Sequence, residues 1–169
     1  IYTLSLHDAL PILVIRLARG LQEAAPQGAF IALRGGLGAG KTTFTRYLLR
    51  ALGVAGRIKS PTYAVMEPHE TPSGLAVFHF DFYRFSDPAE WEDAGLRDAF
   101  AAPALKLAEW PQQAGGLLPV PDLDVLIAPE EGSAAEDGAL QARRITLTAA
   151  TPLGRSEEHT SELQSLVII

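Results

Sequence analysis

The eight residues Gly35-Gly36-Leu37-Gly38-Ala39-Gly40-Lys41-Thr42 fit the pattern G-x-x-x-x-G-K-[ST], and each fixed residue type in it has a physical task. The glycines allow backbone N–H groups to turn inward around phosphate oxygens, and the N-terminus of a following helix adds its partial positive charge. A lysine at position 41 is placed to reach β- and γ-phosphates, and the Thr42 hydroxyl is placed to meet Mg²⁺. The pattern carries weight here because an apolar run precedes it and a helical pattern follows it.

Chemistry on a bound triphosphate also needs an acid near the metal, to fix the ion, the phosphates and an attacking water. Asp81 and Glu109 are the two candidates, since each ends an apolar run that reads as a strand. In open α/β sheets the ligand crevice lies at the carboxyl ends of the strands. Thr62 follows a proline in a loop, where a switch residue would contact metal or γ-phosphate. His79 alternates with apolar neighbours and reads as a buried structural histidine in preference to a catalytic base. Trp110 is either a core residue or one that packs beside the nucleotide. Arg84 either meets a phosphate or forms a surface ion pair with the acids between Glu90 and Asp93, and Arg143 and Arg144 carry the same ambiguity.

The elements that must position these groups follow from periodicity. Val14 to Ala24 places Val14, Leu17, Ala18 and Leu21 on one helical face. Ala29 to Leu33 is a short continuous apolar run, as a strand buried on both faces requires. From Thr42 onward Phe44, Leu48, Leu49 and Leu52 share a helical face, with Gly53 after them as a C-terminal cap. Ser60-Pro61-Thr62 breaks regular structure ahead of Tyr63 to Met66, and Leu75 to Phe80 reads as the next strand. Asp87-Pro88-Ala89-Glu90 has the form of a capping box and predicts a helix from Pro88 to Phe100. Leu105 to Ala108 is a short strand before Glu109-Trp110-Pro111, where proline stops it. Asp122 to Ala128 and Arg144 to Thr148 alternate as strands and are joined by the loop Pro129 to Gly138.

The 169 residues and net charge of −6 suit one globular α/β domain and argue against a broad nucleic-acid footprint, so any RNA connection is expected through a partner. The chain has 0 cysteines, which removes disulfides and thiolate metal sites and agrees with a reducing, cytoplasmic setting. No apolar run is long enough to span a bilayer. Ile1 to Ile12 and Arg155 to Ser165 resemble sequencing-adapter sequence translated in frame, with Leu166 to Ile169 as its continuation. Segments 1–12 and 155–169 are therefore set aside as artefacts, and 13–154 is expected to be a single P-loop domain that lacks its native start. Without Asp8, Arg155, Glu157, Glu158 and Glu162 the acidity is mild, at 13 basic and 16 acidic residues.

GLGAGKTTF (Gly36–Phe44), KSPTYAVMEPH (Lys59–His69), FHFDFYRFSDPAEWEDAGLRD (Phe78–Asp98), EWPQQAGGLLP (Glu109–Pro119) and RRITLT (Arg143–Thr148) stand in that order. Together they resemble the bacterial TsaE (YjeE) family over nearly all of Leu13 to Thr148. The resemblance implies a P-loop NTPase-like three-layer α/β fold, with a central parallel sheet and antiparallel flanking strands. It implies an ATPase that binds ATP or ADP with Mg²⁺ and supports turnover of TsaD and TsaB, which form threonylcarbamoyladenosine in tRNA. Contact with tRNA would come only through that complex. By position, Gly35, Gly36, Leu37, Gly38, Ala39, Gly40, Lys41, Thr42 and Thr43 would hold the phosphates. Thr42 and Glu109 would bind Mg²⁺, and Asp81 would join the metal and water network. Lys41, Asp81 and Glu109 would be the catalytic set, Thr62 a switch-like residue and Trp110 a neighbour of the nucleotide. Gly36 departs from the family, which often has an acid there, as does His69, where an aromatic is common. The loop before Arg143 is longer than usual. The rival readings are a small P-loop kinase and a nucleotide-dependent binding module that does not hydrolyse.

Overall fold

The computed structural model describes residues 6–25, 27–61, 63–87, 89–93, 95–129, 143–151 and 166–168. In chain order these form α1 (Leu6–Ala24), β1 (Phe30–Arg34), α2 (Lys41–Ala51), β2 (Met66–Glu70), β3 (Ala76–Asp81), α3 (Ala89–Asp93) and α4 (Leu96–Ala101). They continue with β4 (Leu105–Glu109), 3₁₀ turns over Pro111–Leu117, β5 (Leu123–Pro129), β6 (Arg143–Ala149) and β7 (Leu166–Ile168).

The strands make one sheet in the order β2-β3-β4-β1-β5-β6-β7. The four central strands β3, β4, β1 and β5 are parallel to one another, while β2, β6 and β7 pair antiparallel. This is the expected parallel centre with antiparallel flanks. Period-two alternation sorts the side chains into two layers. Ile31, Leu33, Val77, Leu105 and Leu107 face α1 and α2, where they pack with Phe44, Leu48 and Leu49. Phe30, Ala32, Phe80 and Ala108 face the other way, against Trp91, Leu96 and Ala114. That second layer is built on aromatic contacts: the Phe100 ring lies 4.6 Å from Phe80, 5.2 Å from Phe30 and 5.4 Å from Trp91. Among the described residues no helix is long and apolar enough to cross a membrane.

The fold differs from the sequence reading in three ways. First, α1 starts at Leu6 and not at Val14. The apolar spacing of Leu10, Leu13, Val14, Leu17 and Leu21 continues the same face upstream, and Leu10 is 1% exposed in the core. Likewise β7, from the other segment that was set aside, adds to the sheet beside β6.

Second, Met66–Glu70 is a strand although Pro68 and three polar residues lie within it. At the sheet edge one side of the strand needs no partner, which makes proline tolerable there.

Third, the single helix expected from Pro88 to Phe100 is two helices. Asp87 does act as N-cap, with its Oδ1 accepting the Ala89 N–H at 2.8 Å, but Gly95 then adopts φ 65 and ψ 22 and ends the first helix. The break has a packing cause. Trp91 and Leu96 are 4% and 1% exposed in the same aromatic layer, yet residues five apart on one continuous helix point roughly 140° from each other.

A β-carbon at Gly95 would meet nothing within 4 Å, so its cost there is conformational alone. Gly95→Ala should destabilise the fold by about 1 kcal/mol, seen as a lower melting temperature by circular dichroism. An unchanged melt would mean that the chain passes position 95 as ordinary helix.

Candidate functional site

The period of two that sorts the core also gathers the polar groups. His79 and Asp81 fall on the same face of β3 as Val77, and Glu109 on the same face of β4 as Leu105 and Leu107. This is the α2 side of the sheet. The parallel register sets Asp81 opposite Glu109, so two carboxylates end two neighbouring strands at one edge. The chain leaving β1 reaches the same edge and turns into α2 through the glycine loop. Asp81, Glu109 and the first turn of α2 therefore meet because of strand direction and register.

Two glycines show what the loop geometry demands. Gly35 has φ 144, and a β-carbon on it would lie 2.3 Å from the Ile127 carbonyl oxygen of β5. Gly40 has φ 112 and delivers the chain into α2, where its carbonyl accepts the Phe44 N–H at 2.8 Å. Gly36 differs from both: its φ is not positive and the space beside it is open. The absence of an acid at that position is thus no structural necessity. Ala39 is buried, whereas Leu37 stands out at 79% exposure.

Lys41 is 5% exposed. Its Nζ donates to the carbonyls of Gly35 at 2.8 Å and Gly36 at 2.7 Å, and it lies 3.9 Å from the centre of the Trp110 ring. Burial lowers the Lys41 pKa from the usual 10.5, and the fields of Glu109 and Asp81 act in the opposite direction. Trp110 takes this position because its own backbone is left-handed, at φ 56, which turns the ring back over the loop beside Tyr83, 5.0 Å away. It is thus a wall of the site.

Glu109 is 2% exposed, and its two oxygens have separate partners. Oε2 accepts the Thr42 hydroxyl at 2.9 Å, and Oε1 lies 2.9 Å from Nε2 of the fully buried His79. Asp81 Oδ1 accepts the Tyr83 N–H at 3.0 Å, and Oδ2 accepts the Ser60 hydroxyl. The segment before β2 is fastened to this edge as well, because the Asp81 N–H donates to the Val65 carbonyl at 2.9 Å. Val65 is held at φ 63, an unfavourable conformation for a β-branched residue, with its own N–H on the Pro61 carbonyl at 2.7 Å.

Of the residues expected at the site, Gly35 to Thr43, Asp81, Glu109 and Trp110 converge on this edge. Thr62 lies outside the described residues. The Arg84 guanidinium lies 4.7 Å from the centre of the Tyr63 ring. The acid Glu92 pairs with Arg97 across the Gly95 break. Arg143 opens β6 opposite Pro129. Sequence reasoning missed Ser60 and the link between His79 and Glu109. The available signal for the latter was the spacing His79-x-Asp81, which puts both side chains on one face of a strand.

A glycine loop between a central parallel strand and its helix, with carboxylates ending the adjacent strand β4 and the next one, β3, defines a P-loop nucleotide-binding α/β protein. Residues 13–137 match the family described as threonylcarbamoyl adenosine biosynthesis protein TsaE. The TsaE protein of Haemophilus influenzae is 41% identical over 126 residues, which are 75% of this chain and 73% of that one. The Bacillus subtilis TsaE protein is 36% identical over 103 residues, 61% of this chain and 63% of that one. The crystal structure of Bacillus subtilis YdiB is similar in fold, with TM-score 0.54 and 26% identity over 84% of this chain and 82% of that one. The chain belongs to the TsaE family.

The loop geometry predicts opposite outcomes for adjacent glycines. Gly35→Ala should cost about 1–3 kcal/mol from strain and the clash with β5, whereas Gly36→Ala should stay within about 0.5 kcal/mol of the parent. Chemical denaturation of the two variants checks this, and equal losses would contradict the loop described.

Proposed function

We propose that this protein is an ATPase of tRNA threonylcarbamoyladenosine biosynthesis, binding ATP or ADP with Mg²⁺ and hydrolysing ATP to support turnover of a TsaB–TsaD complex. The folded unit proposed for this activity is 13–154, acting in the cytoplasm and meeting tRNA only through that complex. The observation that carries the reading is the contact between Thr42 Oγ1 and Glu109 Oε2 at the first turn of α2, beside the loop that encloses Lys41.

The donor set suits magnesium. A threonine hydroxyl and a carboxylate are hard oxygen ligands, and Mg²⁺ is commonly held by one or two such groups together with water and substrate phosphate. Thr42 and Glu109 would hold the ion, with Asp81 in the surrounding network. When bound, the ion would offset negative charge on the phosphate oxygens and help orient them.

The chain's own residues would do the rest. The backbone N–H groups from Gly35 to Thr43 would receive phosphate oxygens at the positive end of α2. Lys41 would exchange its two carbonyl partners for phosphate oxygens, and its low exposure would strengthen that interaction relative to water. Asp81, held by Ser60 and the Tyr83 N–H, would orient water at the strand edge. Trp110 would keep solvent from the lysine on one side, and Thr62 would belong to a switch-like loop leading into this edge.

Phosphate release from ATP, measured alone and with TsaB–TsaD, tests the proposal. Lys41→Ala and Glu109→Ala should each lower turnover by about 100-fold or more, and the partner complex should raise it for the parent chain. Release indifferent to partner and mutations would overturn the ATPase reading. Tight ATP binding with no release in the full complex would favour a non-hydrolysing module, and phosphate appearing on an added metabolite would favour a kinase.

A further inference from the structure

The role of His79 is not accounted for by packing. Its ring is completely buried on the α2 face of β3, among Val77, Leu105 and Leu107, where an aliphatic side chain would pack without polar cost. Among the described residues its Nδ1 has no hydrogen-bond partner. Its Nε2 has one, the Oε1 of Glu109 at 2.9 Å. The register partner of His79 is Leu107, so the ring leans two residues along the sheet toward the strand ends to reach that oxygen. A carboxylate oxygen of Glu109 accepts, so Nε2 is the donor in this contact.

The geometry has a consequence for the other oxygen. A glutamate side chain has three rotatable bonds, and in a site 2% exposed the direction of its second oxygen depends on where the first is held. With Oε1 fixed from the β3 side, Oε2 is directed at Thr42 on α2. We propose that His79 is the positioning residue for Glu109: its Nε2–H anchors Oε1, so that Oε2 and the Thr42 hydroxyl form a preset pair of oxygen ligands for the nucleotide-associated metal. This rests on the assignment of Glu109 and Thr42 as metal ligands made above. Partners that orient a ligand from behind typically contribute 10- to 100-fold in metal affinity.

The test separates metal coupling from phosphate binding. Full-chain protein is titrated with the fluorescent nucleotide mant-ADP in EDTA and then in graded Mg²⁺, for the parent, His79→Leu, His79→Asn, His79→Gln and Glu109→Ala. The glutamine amide reaches about as far as Nε2, and the asparagine amide falls one bond short. Leu and Asn variants should need about 10-fold more Mg²⁺ to reach the high-affinity state, with EDTA affinity within about 3-fold of the parent, and the Gln variant should recover most of the coupling. If His79→Leu does not fold, the Asn and Gln pair carries the comparison. Parental Mg²⁺ dependence in the Leu and Asn variants, with dependence lost in Glu109→Ala, would overturn the positioning role and leave the metal ligands standing. An equal loss of binding with and without Mg²⁺ would reduce His79 to a structural residue. Parental Mg²⁺ dependence in Glu109→Ala would remove the metal assignment and this inference with it.

Discussion

A carboxylate with 2% exposure can remain charged inside a protein only if both of its oxygens are satisfied. Glu109 meets that condition by drawing on three elements at once: its own strand β4, the neighbouring strand β3 through His79, and the first turn of α2 through Thr42. Removing either partner leaves a buried carboxylate oxygen short of a hydrogen bond, a defect that costs about 1–3 kcal/mol. The start of α2 is therefore fixed against the sheet by a polar contact at one end and by Phe44, Leu48 and Leu49 along its length. The glycine loop spans the gap between β1 and that fixed helix start, so its conformation follows from the positions of its two ends.

Much of this was legible in the sequence, because the signals were local. The motif from Gly35 to Thr42 specifies a loop between a strand and a helix, and the apolar runs ending at Asp81 and Glu109 specify two carboxylates at strand ends. What sequence leaves open is register. Nothing in the run Leu105 to Ala108 says that Glu109 will lie opposite Asp81, yet that offset decides that His79 reaches Glu109. Ser60 was invisible for a similar reason, since its partner lies beyond the turn at Val65 and the strand β2. The helix from Pro88 to Phe100 failed differently: its capping signal was correct, but the demand that Trp91 and Leu96 both enter the aromatic layer overrode the helical period. Strand β2 was obscured by Pro68, whose effect depends on whether a strand lies at the edge.

The two faces of the sheet have different characters, and the difference bears on the site. One face, with Phe30, Phe80, Phe82, Trp91 and Phe100, is closed by aromatic contacts. The other carries aliphatic residues under α1 and α2 and becomes polar only toward the carboxyl ends of β3 and β4. The change occurs within single strands: Val77 is followed on its face by His79 and Asp81, and Leu107 by Glu109. Each strand thus supplies core at one end and chemistry at the other, which lets the hydrophobic layer hold the polar groups without a dedicated scaffold.

Lys41 shows how such a site can be preset. Its ammonium is largely removed from water, which lowers its pKa, while Glu109 and Asp81 oppose that shift and help keep the charge. Two neutral carbonyls of its own loop and the face of Trp110 supply the direct contacts. Under the function proposed, phosphate oxygens would replace those carbonyls, so the desolvation of the lysine is already met in the fold and is not a further cost of binding. The same exchange would free the Gly35 and Gly36 carbonyls to turn outward, which glycine permits with little steric resistance. The binding energy then depends on the difference between a carbonyl and a charged phosphate oxygen as partners for one buried cation. That difference favours phosphate, because hydrogen bonds between two charged groups are the stronger kind.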